Sequence, residues 1–275
     1  MFTRRKTEIN EPELQNVPGA ELHYRMDPWW WLVALAAGII GILCIFKPDP
    51  FLNIFLFVRN GIGISALITV VSFVFVLIVG MLGGLGRLSK NRIINLIATL
   101  YVELIRGVPL LVQLIWWYFA FPVVIQQIGN WTGISFLQTY RPNAIVLAIV
   151  GFVVCYGAYM SEIYRAGIQS IPKGQMEAAR SLGMSYFQAM RYVILPQAIR
   201  VILPPVGNEF IALLKDSSLV SAVAVADLTR RGREFMAAHF NPIETWTMVA
   251  LIYLVMTLFA ARIVNYIERR TKFER

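Results

Sequence analysis

The stretch GIGISALITVVSFVFVLIVGMLGGLG, residues 61–86, carries no charged side chain from end to end. As an α-helix it would cover about 39 Å, which is more than the ~30 Å hydrocarbon core of a bilayer. The stretch therefore predicts a transmembrane helix. Gly80, Gly83, Gly84 and Gly86 crowd its end, where small residues let a neighbouring helix approach closely.

Further apolar runs on both sides of this stretch predict an all-α membrane protein with about six transmembrane helices. The runs cover residues 29–46, 93–124, 143–161, 201–214 and 245–261. Hydrophobic residues make up 57% of the chain, above the ~45–50% of soluble domains. A signal peptide is the competing interpretation of the first run. It is disfavoured because a long acidic segment precedes the run and no A-x-A site follows it.

The basic residues predict the orientation of the chain. With six spans and a cytoplasmic N-terminus, the inner segments hold 17 Lys and Arg residues and the outer segments hold 7. Cytoplasmic loops are normally the basic ones, so a cytoplasmic tail at 1–28 and a cytoplasmic basic tail at 268–275 are expected. This placement also explains the net charge of +9 without nucleic acid. The predicted outer connector contains TRRGR at 229–233, although outer segments normally hold few basic residues.

A polar segment between two apolar runs, MEAARSLGMSYFQAMRYVILPQAI at 176–199, has the pattern of a cytoplasmic helical hairpin. Pro172 suits a helix start, and Gly183 suits a left-handed helix end. Ser185 and Gln188 form the spacing of a capping box that starts a second helix, which Pro196 is expected to end.

Two roles for this hairpin follow from its residues. It can lie on the membrane surface, with Arg180 and Arg191 near anionic lipid. It can instead be a docking element for a soluble partner, since Ala178 and Ala179 leave room for a close neighbour. The physical pattern leaves both roles open.

Charged residues near the cytoplasmic ends of two spans are candidates for function, because ionisable groups within a membrane are costly. Glu103 and Arg106 are three residues apart, and Glu162 and Arg165 repeat that spacing, so each pair can form locally. The pairs can serve as anchors, or as an inner gate whose partners exchange during transport.

Glu209 is the candidate substrate-binding residue, since it follows prolines 204–205 at a point where the helix is expected to break. Its carboxylate can bind the ammonium group of an amino acid. Asn208, Gln113 and Ser161 are candidate polar partners for the substrate, although Ser161 can also cap a helix end. The competing interpretation makes Glu209 a structural residue that bonds a neighbouring helix.

The hairpin sequence resembles a motif of a known protein family. Glu177-Ala178-Ala179, Gly183 and Ile194-Leu195-Pro196 together resemble the EAA loop of ATP-binding-cassette importer membrane subunits. Three further stretches look like the polar-amino-acid subfamily of the histidine and glutamine permease type. These are YVELIRGVPLLVQL at 101–114, SEIYRAGIQSIPKGQ at 161–175 and GNEFIALLKDSSLVSAVAVADL at 207–228. The resemblance covers about residues 61–267.

The resemblance implies a type I importer permease fold in a bacterial inner membrane. A permease domain at 60–267 would contain the EAA loop at about 170–198, and the run at 29–46 would be an extra N-terminal helix beside a five-helix core. It further implies that the EAA loop is a cytoplasmic coupling helix in a groove of the ATP-binding subunit. The residues to which this role carries over are Glu177, Ala178, Ala179, Arg180 and Gly183.

The partners implied by the resemblance are two ATP-binding subunits, a second permease subunit, identical or paralogous, and an external amino-acid-binding protein. The chain has no G-x-x-x-x-G-K-[ST] phosphate loop, so ATP and Mg²⁺ are expected on the partner and not on this transport subunit. A stand-alone ion-coupled transporter is the alternative, but it would need no docking hairpin and usually shows internal repeats. A third alternative is an intramembrane enzyme, but the sequence shows no catalytic arrangement of residues for one.

Overall fold

The computed structural model describes residues 29–271, so the predicted tail at 1–28 and the last residues of the basic tail lie outside the described residues. Every described element is helical. The α-helices are α1 Trp30–Phe46, α2 Pro48–Arg87, α3 Arg92–Arg106, α4 Leu110–Ile115, α5 Phe121–Thr132, α6 Ser135–Gln138, α7 Ala144–Gln169, α8 Lys173–Ser181, α9 Tyr186–Ala189, α10 Leu195–Asp216, α11 Leu228–His239 and α12 Pro242–Thr271.

Three segments of different helical geometry lie between these α-helices. π-helical turns at Trp116–Ala120 and Met190–Ile194 join α4 to α5 and α9 to α10. A 3₁₀ helix at Ser217–Val223 follows α10. The described chain contains four stretches long and apolar enough to cross a membrane, at Pro48–Arg87, Leu110–Thr132, Ala144–Gln169 and Pro242–Thr271.

The glycine-rich end of α2 packs directly on α7, as the sequence predicts. A Cβ atom added to Gly80 would lie 2.5 Å from the Met160 side chain, and one added to Gly84 would lie 2.9 Å from the Ser161 carbonyl oxygen. Larger residues would therefore push the two helices apart. The packed pair of α2 and α7 forms the centre of the main apolar core, in which Phe152 is fully buried.

A second apolar core lies at the other end of α2, where α1, α11 and α12 meet it. Phe51, Ile54 and Val58 of α2 are buried against Phe235 and Met248 in this core. Helix α1 coincides with the predicted run 29–46 but has only 17 residues, about 26 Å. It packs along α12, where the Trp30 ring meets Phe259 and Ile40 joins the core that contains Met248.

The predicted single span at 93–124 is wrong, because two helices share this region. Helix α3 ends at Arg106 and α4 begins at Leu110, with residues 107–109 between them. Pro109 is the cause, since a proline disfavours helical geometry for the residue before it. The bilayer-crossing segment instead starts at Leu110 and runs through the π turn to Thr132.

Two expectations about prolines are also wrong. Pro196 does not end the hairpin's second helix, and α10 continues through Pro204 and Pro205 to Asp216. The wider π turn at Met190–Ile194 ends shortly before Pro196. Its geometry makes space for the proline ring, and no hydrogen bond is needed from the N–H that proline lacks. Membrane helices tolerate interior prolines because local adjustments and neighbouring groups satisfy the freed carbonyl oxygens.

Candidate functional site

The hairpin at 172–199 has the local geometry that the sequence predicts. Gly183 is left-handed, with φ of +83°. Its N–H donates to the Arg180 carbonyl oxygen at 3.0 Å, and the Met184 N–H donates to the Ala179 carbonyl oxygen at 3.2 Å. The capping box is complete, because the Ser185 N–H donates to Gln188 Oε1 at 2.8 Å and the Gln188 N–H donates to Ser185 Oγ at 3.3 Å.

The hairpin separates buried small residues from exposed large ones. Ala179 and Ala189 are buried, so they lie inside the fold rather than on a docking surface. Glu177, Ala178 and Arg180 are exposed. The apolar side chains of Leu182 and Phe187 are 82% and 83% exposed.

Helical spacing predicts that Phe187, Met190 and Ile194 share one face, and no sequence pattern singles out Leu182. The structure separates these residues, since Ile194 is buried whereas Phe187 is exposed. The hairpin therefore presents two exposed apolar side chains close to its turn.

Three of the four predicted charged residues join Arg87 in a network that connects three helices. Arg87 of α2 donates from Nη1 to Glu162 Oε2 at 2.7 Å and lies 3.4 Å from Glu103 of α3. Arg165 contacts Glu162, as the three-residue spacing predicts. The predicted Glu103–Arg106 pair is not formed among the described residues. Glu103 turns to Arg87 instead, and Arg106 lies over the Tyr159 ring at 5.2 Å.

Glu209 belongs to a group of charged and hydroxyl-bearing side chains from α3, α7 and α10. Its side chain is half-buried and close enough to Asp216 and Arg106 to interact with their charges. The Tyr156 hydroxyl donates to Asp216 Oδ2 at 2.8 Å. Sequence reasoning missed Tyr156 and Asp216, since their pairing depends on how α7 and α10 meet.

The other predicted substrate residues occupy different environments. Asn208 is exposed beside Glu209. Gln113 is buried, and its Nε2 bridges the α3–α4 break by donating to the carbonyl oxygens of Ile105 at 2.8 Å and Val108 at 2.9 Å. Within the described chain, Gln113 Oε1 has no hydrogen-bond partner.

Ser161 is sealed inside the helix packing. Its hydroxyl donates to the Gly157 carbonyl oxygen at 2.7 Å, and its side chain lies against Gly83. The structure therefore places Glu209 with Asp216 and Arg106, whereas Ser161 faces the α2–α7 contact.

Known relatives resemble this chain over most of its length. It is 38% identical to the glutamine transport system permease protein GlnP of Escherichia coli K12 over 213 residues, 78% of this chain and 92% of the relative. It is also 38% identical to the L-cystine transport system permease protein TcyB of Bacillus subtilis over 212 residues, 77% of this chain and 85% of the relative.

Solved structures agree with the sequence relatives. A crystal structure of an amino acid ABC transporter with histidines has 37% identity and a TM-score of 0.70, covering 83% of this chain and 98% of that one. An inward-facing MetNI methionine ABC transporter has 21% identity and a TM-score of 0.61, covering 79% of this chain and 97% of the other. That second likeness shows the fold alone.

The family model described as binding-protein-dependent transport system inner membrane component matches residues 76–273. The match includes the ion-pair network, the hairpin and the Glu209 group. The expected type I importer permease fold and transport role are therefore confirmed. The chain belongs to the binding-protein-dependent transport system inner membrane component family.

Proposed function

We propose that this chain moves polar amino acids through the membrane as one of two permease subunits, identical or paralogous, in an ATP-driven importer. The named relatives that transport glutamine and L-cystine support an amino-acid substrate. Both termini lie in the cytoplasm in this proposal, in keeping with the basic residues at 1–28 and 262–275.

The polar face around Glu209 is the observation that carries this proposal. Arg106 and Asn208 are exposed on the chain, although they lie on helices that also carry lipid-facing apolar residues. Charged groups at membrane depth face a bundle interior or an aqueous cavity. A second permease subunit would cover this face, and the amino acid would pass between the two subunits.

The substrate would bind through both of its charges. Glu209 and Asp216 offer carboxylates to the ammonium group, and Arg106 offers a guanidinium to the carboxylate. Asn208 lies beside Glu209, and the unpartnered Oε1 of Gln113 is one further acceptor. Ser161 is assigned to helix packing rather than to substrate.

The hairpin would couple this path to two ATP-binding subunits that hold ATP and Mg²⁺. Leu182 and Phe187 are the apolar anchors for a groove of that partner, and Glu177, Ala178 and Arg180 surround them. Gly183 and the capping box fix the angle between the two arms, so the hairpin moves as a rigid unit.

The ion-pair network would keep α2, α3 and α7 together as one moving body. Arg87, Glu103 and Glu162 come from helices that already pack closely, so no gap between separate bodies divides them. A gate in which the pairs exchange partners would need such a gap. The network is therefore assigned to rigidity rather than gating.

Phe187→Glu tests the coupling role. We expect it to reduce co-purification of the ATP-binding subunit about tenfold or more, because a charge replaces an apolar anchor. Phe136→Glu is the matched control, because Phe136 is 75% exposed in α6 at the opposite end of the bundle. Unchanged co-purification with Phe187→Glu, measured on membranes with equal permease content, contradicts the role of the hairpin.

A further inference from the structure

An apolar groove of about 420 Å³ lies between α2 and α3. Leu82 and Gly83 line it from α2, and Ile97 and Tyr101 line it from α3. The side chains of Leu82 and Ile97 are 64% and 63% exposed, so the groove is open along its outer side. The one polar side chain among the lining residues is that of Tyr101, and its hydroxyl donates to the Val154 carbonyl oxygen at 2.7 Å. The walls of the groove therefore suit a long apolar ligand.

The contacts between α2 and α3 show where the groove ends. A Cβ atom added to Gly86 would lie 2.9 Å from Ala98 Cβ, and one added to Gly83 would lie 3.7 Å from the Tyr101 ring. The two helices are therefore antiparallel, and the loop between them at 88–91 closes one end of the groove. The uncharged stretch of α2 before this loop is long enough to cross the hydrocarbon core, so the loop lies at the level of lipid headgroups.

Two basic side chains, Lys90 and Arg92, stand at this closed end of the groove. Both residues are exposed, and within the described chain neither side chain forms a hydrogen bond or an ion pair with another residue. The sequence contains no acidic residue from 61 to 102, so neither helix wall supplies a carboxylate close to them in the chain. The end of the groove therefore carries two positive charges.

The ion-pair network beside the loop does not neutralise these two charges. Arg87 lies 3.4 Å from Glu103 and 2.7 Å from Glu162, and Arg165 contacts Glu162. Two carboxylates and two guanidinium groups therefore balance one another within the network. A ligand that neutralises the two basic side chains of the loop has to bring its own negative charge.

We propose that the groove and its basic loop bind one anionic phospholipid, with an acyl chain between α2 and α3 and the phosphate against Lys90 and Arg92. A long apolar body that ends in an anionic group matches both parts of the site. Lysine and arginine at a membrane surface attract anionic lipid, and their apolar stems can lie along the groove while the charges reach the headgroup.

A second copy of the chain fits this groove less well than a lipid. Its matching segment at 61–102 would bring further basic residues and no acidic one. The bound lipid would contact both helices and so hold α3 against α2. The inference needs only that α2 crosses the membrane, and it stands apart from the Glu209 group and from the coupling hairpin.

The test uses the full chain in a neutral detergent after removal of native lipid. Native mass spectrometry measures the affinity for the first molecule of dioleoyl-phosphatidylglycerol, with dioleoyl-phosphatidylcholine as the neutral comparison. Lys90→Gln combined with Arg92→Gln removes both charges. Ile97→Trp keeps the wall apolar and fills the groove. Lys173→Gln combined with Arg191→Gln is the matched control, because it removes two exposed basic side chains from the hairpin.

The charge variant should weaken binding of phosphatidylglycerol about tenfold or more and leave phosphatidylcholine unchanged, with the control near wild type. Ile97→Trp should weaken binding of both lipids, because both would use the groove. Phosphatidylglycerol should also raise the unfolding midpoint of the wild type but not that of the charge variant. Without lipid the two midpoints should be equal, because neither basic side chain has a partner within the described chain.

Equal affinity of the wild type for the two lipids overturns the proposal. Unchanged affinity for phosphatidylglycerol in either variant does the same. If inorganic phosphate raises the midpoint as much as phosphatidylglycerol does, the loop binds a free anion and not a lipid. If a variant separates paired permease subunits without changing lipid affinity, the groove is a contact between subunits.

Discussion

At the scale of single residues, the charge balance around Glu209 explains what this site can hold. Glu209 interacts with the charges of Asp216 and Arg106, and Tyr156 donates its hydroxyl to Asp216. This donation satisfies one oxygen of Asp216 and orients the carboxylate. Glu209 therefore remains the group best placed to receive an ammonium ion.

Replacing Glu209 with glutamine should lower the initial rate of amino-acid uptake about tenfold or more, because a charge-assisted hydrogen bond contributes ~1.5–3 kcal/mol. The measurement is ATP-driven uptake into proteoliposomes. Glu244→Gln serves as the control, since Glu244 lies in the first turn of α12, about 30 Å along that helix from Val264, which contacts Gly207. Normal uptake by Glu209→Gln in an assembled complex would remove Glu209 from the substrate path.

The sequence predicted Glu209 because a charge in an apolar run is visible without a structure. It could not predict Asp216, which stands next to Lys215 at the end of the run and looks like part of a polar connector. Its role depends on the contact between α7 and α10, and no local sequence pattern predicts that contact. The same applies to Arg87, whose basic loop gave no sign of a bond to Glu162.

At the scale of helices, sequence patterns correctly predicted those helix ends whose hydrogen-bond partners lie within a few residues. The capping box of Ser185 and the left-handed Gly183 are satisfied within a few residues, so both were predicted. Prolines misled because their effect depends on what the neighbouring backbone can do. Pro196 and Pro122 each follow a π turn, which absorbs the ring and keeps the helix continuous.

The ion-pair network gives a prediction for three helices. Glu162→Gln should leave Arg87, which is largely buried, without its closest carboxylate. The expected cost is about 1–3 kcal/mol of stability, seen as a fall of several degrees in the unfolding midpoint of the detergent-solubilised chain.

Exchanging the two charges, as Arg87→Glu with Glu162→Arg, should recover part of that loss. Lys90→Gln is the control in the same loop, since Lys90 is exposed. A midpoint equal to wild type, together with a raised basal ATPase rate, would show that the network gates transport instead of stiffening the bundle.

At the scale of the whole molecule, α2 connects the two apolar cores. The hairpin lies near the Arg87 end, and α11 packs at the Phe57 end. The EAA loop and three further stretches of sequence were enough to predict the importer core. They say nothing of α1, because the family match begins at residue 76 and the role of an added helix depends on what it covers.

Removal of residues 1–47, so that the chain begins at Pro48, should preserve uptake but lower stability. Uptake should survive because the hairpin and the Glu209 group lie within the family match. Stability should fall because Ile40 and Leu43 cover the second core, and Trp30 meets Phe259 edge to face at 6.0 Å. The unfolding midpoint and uptake per assembled complex are the two measurements.

Trp30→Ala separates these effects, since it keeps α1 and removes one side chain; loss of the ring contact should cost about 0.5–1.5 kcal/mol beyond the area that the side chain buries, with uptake intact. The shortened chain should then lose more stability than Trp30→Ala, because it also uncovers Ile40 and Leu43. If the shortened chain assembles with its ATP-binding subunits yet transports nothing, α1 takes part in transport itself. In that case its packing against α12 would be the contact that carries the motion.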